Sequence, residues 1–356
     1  MNSTLSGYGW DSTLDTDFTP HAARGLVPAR VLRVHGTLCD AITGEGPVRA
    51  DISPVTSPDP TRWVCTGDWA ALDTTGDPVL VRALLPRRSA IVRNGSSKRS
   101  DGQVLAANVD HVVVAVSLAT DPDLGRVERF LALAWESGAQ PLVVLTKSDL
   151  VPEPQLGHLV ADTQDAAPGV PVLAVSAATG AGLDTLAASL TGGTTVLLGQ
   201  SGAGKSTLAN VLTGRDTQLV QTIRDADGKG RHTTTSRDLL PVPGGGLVID
   251  TPGLRGVGMY DAESGVERVF AEIEELARDC RFHDCAHTAE PGCAVLGAVE
   301  DGVLGQRRLD SYRKLLRENA WIASRTDARL RAEQRREWKR RAAVGQAQSA
   351  AKRGGA

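Results

Sequence analysis

The chain has 356 residues, 41% of them hydrophobic and few aromatic, enough to bury a full core and to divide into roughly two or three domains. Its net charge of -3 hides an asymmetry, since residues 306–356 hold 15 Lys and Arg against 5 Asp and Glu while the residues before them hold 24 against 37. No apolar run reaches about 18 residues and the start, MNSTLSGYGWDSTLDTDF, lacks the basic-then-apolar order of a secretion signal, which argues against a membrane span and predicts a cytoplasmic protein. An odd number of cysteines, 5, excludes a complete disulfide framework and points to metal.

Residues 1–27 are rich in Ser, Thr, Asp and Gly without periodicity and read as a flexible arm. Residues 28–105 follow with short alternating segments, Ala29–Val34, Val48–Ile52, Trp69–Leu72 and Val79–Leu84, separated by turn formers; this spacing predicts a small antiparallel barrel. Arg87, Arg88, Arg93, Lys98 and Arg99 form either a basic rim for an anionic partner or a solvated loop.

From 106 to 264 the pattern becomes buried strands alternating with helices: Val112–Val116, a helix over Leu124–Glu136, Leu142–Leu145, Val172–Val175, Val196–Leu198 and Leu247–Ile249. Continuous Val and Leu runs between helices predict a parallel sheet covered on both faces, with ligands at the strand ends.

Four motifs follow such strand ends. Thr146-Lys147-Ser148-Asp149 has the form of a guanine-reading loop, in which Asp149 accepts from the N1 and N2 donors that adenine lacks and the Lys147 stem covers the base. Thr146 stands where Asn is commoner, a departure expected to loosen the tie of this loop to its neighbour. Ser176 and Ala177 suit a backbone contact to the guanine carbonyl. Gly199-Gln200-Ser201-Gly202-Ala203-Gly204-Lys205-Ser206 is a complete P-loop, and Thr207 continues the helix it opens. Its glycines let the backbone wrap a phosphate chain, Lys205 reaches the β- and γ-oxygens as a catalytic cation, and Ser206 offers a hydroxyl to magnesium. About 45 residues on, Asp250-Thr251-Pro252-Gly253 places a magnesium carboxylate at Asp250 and a γ-phosphate N–H at Gly253. Between them Gly228–Thr235 reads as a first switch, in which either Thr233 or Thr234 completes the magnesium shell.

The order of these motifs is unusual. An ordinary GTPase carries its guanine motifs after its P-loop, and here they come first, so the nucleotide domain reads as circularly permuted. After residue 264 strand signals stop. Cys280, Cys285, His287 and Cys293 offer three thiolates and an imidazole, the ligand set of a closed structural zinc site, with His283 as a rival ligand. The basic tail, with apolar positions at Leu309, Tyr312, Leu316 and Asn319–Ile322, is either a solvated helix neutralised by Glu318, Glu333 and Glu337 or a polyanion contact.

The permuted order, the stretches Ala106–His111 and Ala134–Pro141, and the cysteine spacing together resemble the small ribosomal subunit biogenesis GTPases of the RsgA family, over residues from about 28 to about 320. The resemblance implies a multidomain chain: an N-terminal OB-type barrel, a central α/β circularly permuted P-loop GTPase at 106–264 and a mainly helical zinc-binding domain with a basic tail at 265–356. It also implies GTP hydrolysis stimulated by the small (30S) ribosomal subunit late in its maturation. Taken with the residues above, we expect release afterwards, one structural zinc, magnesium with GTP, rRNA contact by the tail and a monomeric chain without membrane attachment. Leu254, after Gly253, cannot orient water. His232 matches the residue the family offers for that role, and an imidazole titrating near neutrality suits it. The alternative is a nucleotide-regulated RNA-binding module without subunit-stimulated turnover.

Overall fold

The computed structural model describes residues 3–94, 102–214, 237–250 and 262–326. Strands β1 (Val27–His35), β2 (Leu38–Thr43), β3 (Gly46–Asp51), β4 (Trp69–Asp73) and β5 (Val79–Leu84) close into a barrel in the order β1-β2-β3-β5-β4. Small side chains, Ala29, Val31, Cys39, Ala41, Ala50 and Val81, fill its narrow interior. The barrel is not wholly antiparallel as expected, because β3 and β5 pair in parallel through Ala50 with Val79 and Asp51 with Leu80. It ends at Leu84, and β6 (Ala90–Asn94) with β7 (Gly102–Ala107) forms a separate two-stranded ribbon rather than part of the barrel.

The expected flexible arm is instead largely structured. Asp11 caps a helix over Ser12–Ala22 by accepting from the N–H groups of Thr13 and Leu14. Leu5, Leu14 and Phe18 pack on Ile42, Trp69 and Ala71 of the barrel and on Leu85 just after it. The predicted basic rim is also reassigned. Arg87 donates to both carboxylate oxygens of Asp68 at 2.7 and 2.8 Å and to the carbonyls of Thr61 and Trp63, while Arg88 grips Asp11. The side chain of Arg93, and Lys98 and Arg99 altogether, lie outside the described residues.

Strands β8 (His111–Ser117), β9 (Gln140–Thr146), β10 (Val172–Val175), β11 (Thr194–Gly199), β12 (Asp238–Pro241) and β13 (Leu247–Asp250) form one sheet in the order β10-β9-β8-β11-β13-β12. All pairings are parallel except the edge strand β12, which runs antiparallel to β13. Period-2 alternation divides each strand between two cores: Val112, Val114, Val143, Leu145, Val196 and Leu198 on one face, Val113, Val144 and Leu197 on the other. Hydrophobic burial on both faces is what drives these Val and Leu runs into a covered sheet.

The helices Glu263–Val269, Ala271–Ala277, Ala294–Glu300 and Gln306–Thr326 follow. They share one hydrophobic core with the sheet, since Val266, Phe270, Ile273, Val295, Leu309, Tyr312 and Ile322 pack with Val127, Phe130 and Leu131 of the helix Leu124–Glu136. A buried polar cluster lies at the same junction. Glu128 is fully enclosed and accepts from Arg307 at 2.9 Å, Arg308 at 2.8 Å and the Ser311 hydroxyl. No helix among the described residues is long and apolar enough to cross a membrane.

Candidate nucleotide site and metal centre

The loops that carry the nucleotide motifs leave the same edge of the sheet. Strand β11 passes through Gly199 into the P-loop, and the helix Lys205–Thr213 begins at Gly204. Three P-loop glycines have positive φ, Gly199 at 146°, Gly202 at 82° and Gly204 at 80°, a region that L side chains rarely enter. At Gly199 the need is also steric, because a Cβ would collide with the carbonyl oxygen of Ala115 in the neighbouring strand. Gly204 has no side chain to cap the helix, so its first N–H groups are left for an anion. Lys205 lies across the loop, its Nζ donating to the carbonyls of Gly199 at 2.8 Å and Gln200 at 2.6 Å. Ser206 and Thr207 are exposed on the first turn, beside the exposed Ser201 and the buried Ala203.

The guanine loop is fastened to the P-loop. Thr146, at the end of β9, donates its hydroxyl to the carbonyl of Ala203 at 2.8 Å, and Lys147 donates its Nζ to the carbonyl of Gly202 at 3.0 Å. The loosening expected from Thr146 is therefore overturned, since a β-branched hydroxyl at a strand end spans the same gap. Lys147 has a φ of 61°, which turns the chain so that Asp149 follows on the exposed side. Ser176 then fixes Asp149, its hydroxyl donating to Oδ1 at 2.5 Å and accepting from the N–H groups of Ala178 and Thr179. A cavity of about 330 Å³ opens there, walled by Lys147, Asp149, Ala177, Ala178, Thr207 and Leu208. Small apolar side chains line it together with Lys147 and the Asp149 carboxylate, a mix suited to a flat ring with polar edges. The role of Ser176 as the group that orients Asp149 was not read from the sequence; a hydroxyl residue at the end of the strand next to the guanine loop is the signal that carries it.

Asp250 ends β13 at this edge, with its side chain outside the described residues, as are Thr251, Gly253, Leu254, His232, Thr233, Thr234 and the stretch Gly228–Thr235.

The cysteine cluster forms as predicted, and His287, not His283, completes it. The ligand atoms of Cys280, Cys285, His287 and Cys293 lie within 4.8 Å of one another. Zinc bound at about 2.3 Å from sulfur and about 2.0 Å from nitrogen in a tetrahedron requires ligand spacings of about 3.5 to 3.8 Å. Cys280 Sγ and Cys293 Sγ stand 3.8 Å apart, and His287 Nδ1 lies 3.6 and 3.5 Å from them, so these three donors already have zinc spacing, with Cys285 beside them, and the two sulfurs are too far apart for a disulfide. Burial holds the His287 imidazole below its ordinary pKa and thus neutral, the form that ligates metal. Burial opposes ionisation of Cys280, but hydrogen bonds from the N–H groups of Val295 and Ala294 and from Cys293 and Cys285 together lower that thiol. Cys293 caps the helix Ala294–Glu300 by accepting from Leu296 N–H, which joins the cluster to the shared core.

The family model described as RsgA GTPase matches residues 84–260. The chain is 65% identical over 355 residues to the small ribosomal subunit biogenesis GTPase RsgA of Streptomyces coelicolor, covering 99% of this chain and 97% of that one. It is 40% identical to a second such protein, from Lactiplantibacillus plantarum, over 90% of this chain and 91% of the relative. Among solved structures it resembles YjeQ of Thermotoga maritima, at 26% identity and a TM-score of 0.60 over 82% of this chain and 98% of that one. It shares the fold of YloQ, a circularly permuted GTPase, at 23% identity and a TM-score of 0.59 over 82% of this chain and 94% of that one. With a relative 65% identical over nearly its whole length and the family model matching its central part, the chain belongs to the RsgA family of GTP-hydrolysing enzymes.

Proposed function

We propose that the chain hydrolyses GTP on the small ribosomal subunit in the cytoplasm, late in the maturation of that subunit, binding in its triphosphate state and leaving after hydrolysis. The observation that carries this reading is the guanine loop, tied to the P-loop through Thr146 and Lys147 and holding Asp149 by Ser176. The ribosomal partner comes from relatives that cover nearly the full chain.

In this reading Asp149 selects guanine, Lys147 and Ala177 hold the base, and the N–H groups from Gln200 to Thr207 hold the phosphates. Lys205 exchanges its loop carbonyls for phosphate oxygens. Ser206, Asp250 and one of Thr233 and Thr234 suit magnesium, which supplies charge neutralisation for the triphosphate. His232 orients the attacking water, and Gly253 contacts the γ-phosphate. The zinc cluster, with no open position, acts structurally. The basic tail contacts rRNA, and the free chain is a monomer.

Sedimentation with purified small subunits tests the cycle. Protein loaded with a non-hydrolysable GTP analogue is expected to pellet with the subunits and GDP-loaded protein to remain free; equal pelleting in both states contradicts it. His232→Ala is expected to keep the analogue-dependent binding and lose the subunit-stimulated rate, and an undiminished rate in that variant removes His232 from the mechanism.

A further inference from the structure

The turn that follows β9 leaves a large apolar side chain in solvent beside the base cavity. Ser148–Leu150 form a single 3-10 turn, closed by the Leu150 N–H on the Lys147 carbonyl at 3.1 Å and the Val151 N–H on the Ser148 carbonyl at 3.2 Å. Leu145, in the strand before it, is fully buried, whereas Leu150 is 57% exposed. Leu150 nevertheless lines the cavity, together with Lys147, Asp149, Ala177, Ala178 and Thr207.

An exposed leucine by itself is ordinary. The cavity gives this one a use, because the other exposed walls, Ala177, Ala178 and Thr207, are small or polar, and Val175 and Leu208 are already buried. Among the described residues no aromatic ring lines the cavity, so a planar base has the Lys147 stem and the Leu150 side chain as its large apolar contacts. Both are held in place by the same turn. Lys147 Nζ is tied to the Gly202 carbonyl at 3.0 Å, and Asp149, between the two in sequence, is tied to the Ser176 hydroxyl at 2.5 Å.

We propose that Leu150 is a base-packing residue of the nucleotide site: it covers the base that Asp149 selects and adds affinity without reading which base is present. The inference rests on the guanine reading of Asp149 above. Release of water from apolar surface is blind to the substituents of the ring, whereas the Asp149 carboxylate answers to the N1 and N2 donors. Leu150 therefore strengthens GTP and GDP binding alike. Binding that is equal in the ground and transition states lowers KM and leaves kcat unchanged.

The test uses the full chain at fixed magnesium, titrated with GTP, with GDP, with inosine triphosphate, which lacks the N2 donor, and with inorganic tripolyphosphate, which has no base. Leu150→Ala is expected to bind GTP and GDP about fivefold more weakly, the loss that follows from leaving about half a leucine side chain unburied. Leu150→Gln, similar in size but polar, is expected to lose as much, and Leu150→Met to stay within about twofold of the parent. In Leu150→Ala the preference for GTP over inosine triphosphate, the affinity for tripolyphosphate and kcat at saturating GTP are expected to remain those of the parent. Parental GTP affinity in Leu150→Ala overturns the proposal. So does an equal loss toward tripolyphosphate, which assigns Leu150 to the shape of the P-loop, or a changed preference over inosine triphosphate, which makes it act through Asp149. If Leu150→Ala does not fold, the same comparison is made with Leu150→Gln. A parent chain that binds GTP and ATP alike instead overturns the guanine reading on which the inference stands.

Discussion

In the proposed reading Asp149 selects the base, and its surroundings state what replacing it does. The carboxylate accepts the Ser176 hydroxyl at 2.5 Å with Oδ1 and lines the 330 Å³ cavity. An asparagine there loses charge and presents an N–H₂ to the guanine donors. Hydrogen bonds to charged groups contribute about 1.5 to 3 kcal/mol, so Asp149→Asn is expected to weaken GTP binding about 10- to 150-fold. The same change places a donor opposite the extra carbonyl of xanthine. Titrations with GTP and with xanthosine triphosphate check this, and undiminished GTP affinity contradicts the role of Asp149. At this scale the P-loop and guanine loop were legible because each motif binds by backbone or by one charged atom, needs that depend on residue type and spacing alone. The hydrogen bonds of Thr146 and Ser176 were not, because they cross between strands far apart in sequence.

Among the elements, the helix Leu124–Glu136 stands between the sheet and the C-terminal helices. Gly265 sits against its backbone, where a Cβ would collide with the Ala132 carbonyl oxygen, and Glu136 accepts from the Ser264 hydroxyl at 2.8 Å and Gly265 N–H at 2.9 Å. The chain that leaves Asp250 therefore reaches the zinc-bearing part only after docking on this helix. One turn of packing away, Glu128 is enclosed with Arg307, Arg308 and Ser311 around it. Removing one member of a buried pair leaves an uncompensated charge and costs about 3 to 5 kcal/mol, so Glu128→Ala is expected to lower stability by that order, with Glu128→Gln costing less. Denaturant unfolding measures it, and a loss below about 1 kcal/mol contradicts the cluster's structural role. The bounds of this helix were legible from its sequence, since Asp123 caps it and Val127, Phe130, Leu131 and Ala134 recur at helical spacing. The helix Ser12–Ala22 was not, because Leu14 and Phe18 are its only buried residues and a Ser, Thr and Asp surface hides so narrow a stripe. The edge strand β12 is similarly short, four residues, and carries no alternation long enough to read.

Across the whole molecule, the division into parts is weaker than the sequence suggested. The C-terminal helices join the core of the nucleotide domain, and the barrel is bound to that domain by Arg30, which is 2% exposed and donates to the Asn108 carbonyl at 3.0 Å and the Thr194 hydroxyl at 3.2 Å. Such long-range closure cannot be seen in local pattern, which shows only that each segment has an apolar face. It also changes what zinc does. Structural zinc contributes about 10 to 16 kcal/mol in isolated peptides, and here Cys293 caps a helix of the shared core. Chelation at neutral pH is therefore expected to lower the melting temperature of the nucleotide domain as well, read as loss of GTP protection in the same transition; a nucleotide domain that melts unchanged after zinc removal contradicts this coupling. The residues beyond 326, including Glu333, Glu337 and most of the basic tail, lie outside the described residues.

GTP turnover by the purified chain, measured alone and with increasing small ribosomal subunits, probes the central claim most directly. The account predicts slow hydrolysis alone and a saturable rise of at least about tenfold with small subunits, absent with large subunits. A rate that small subunits leave unchanged contradicts it.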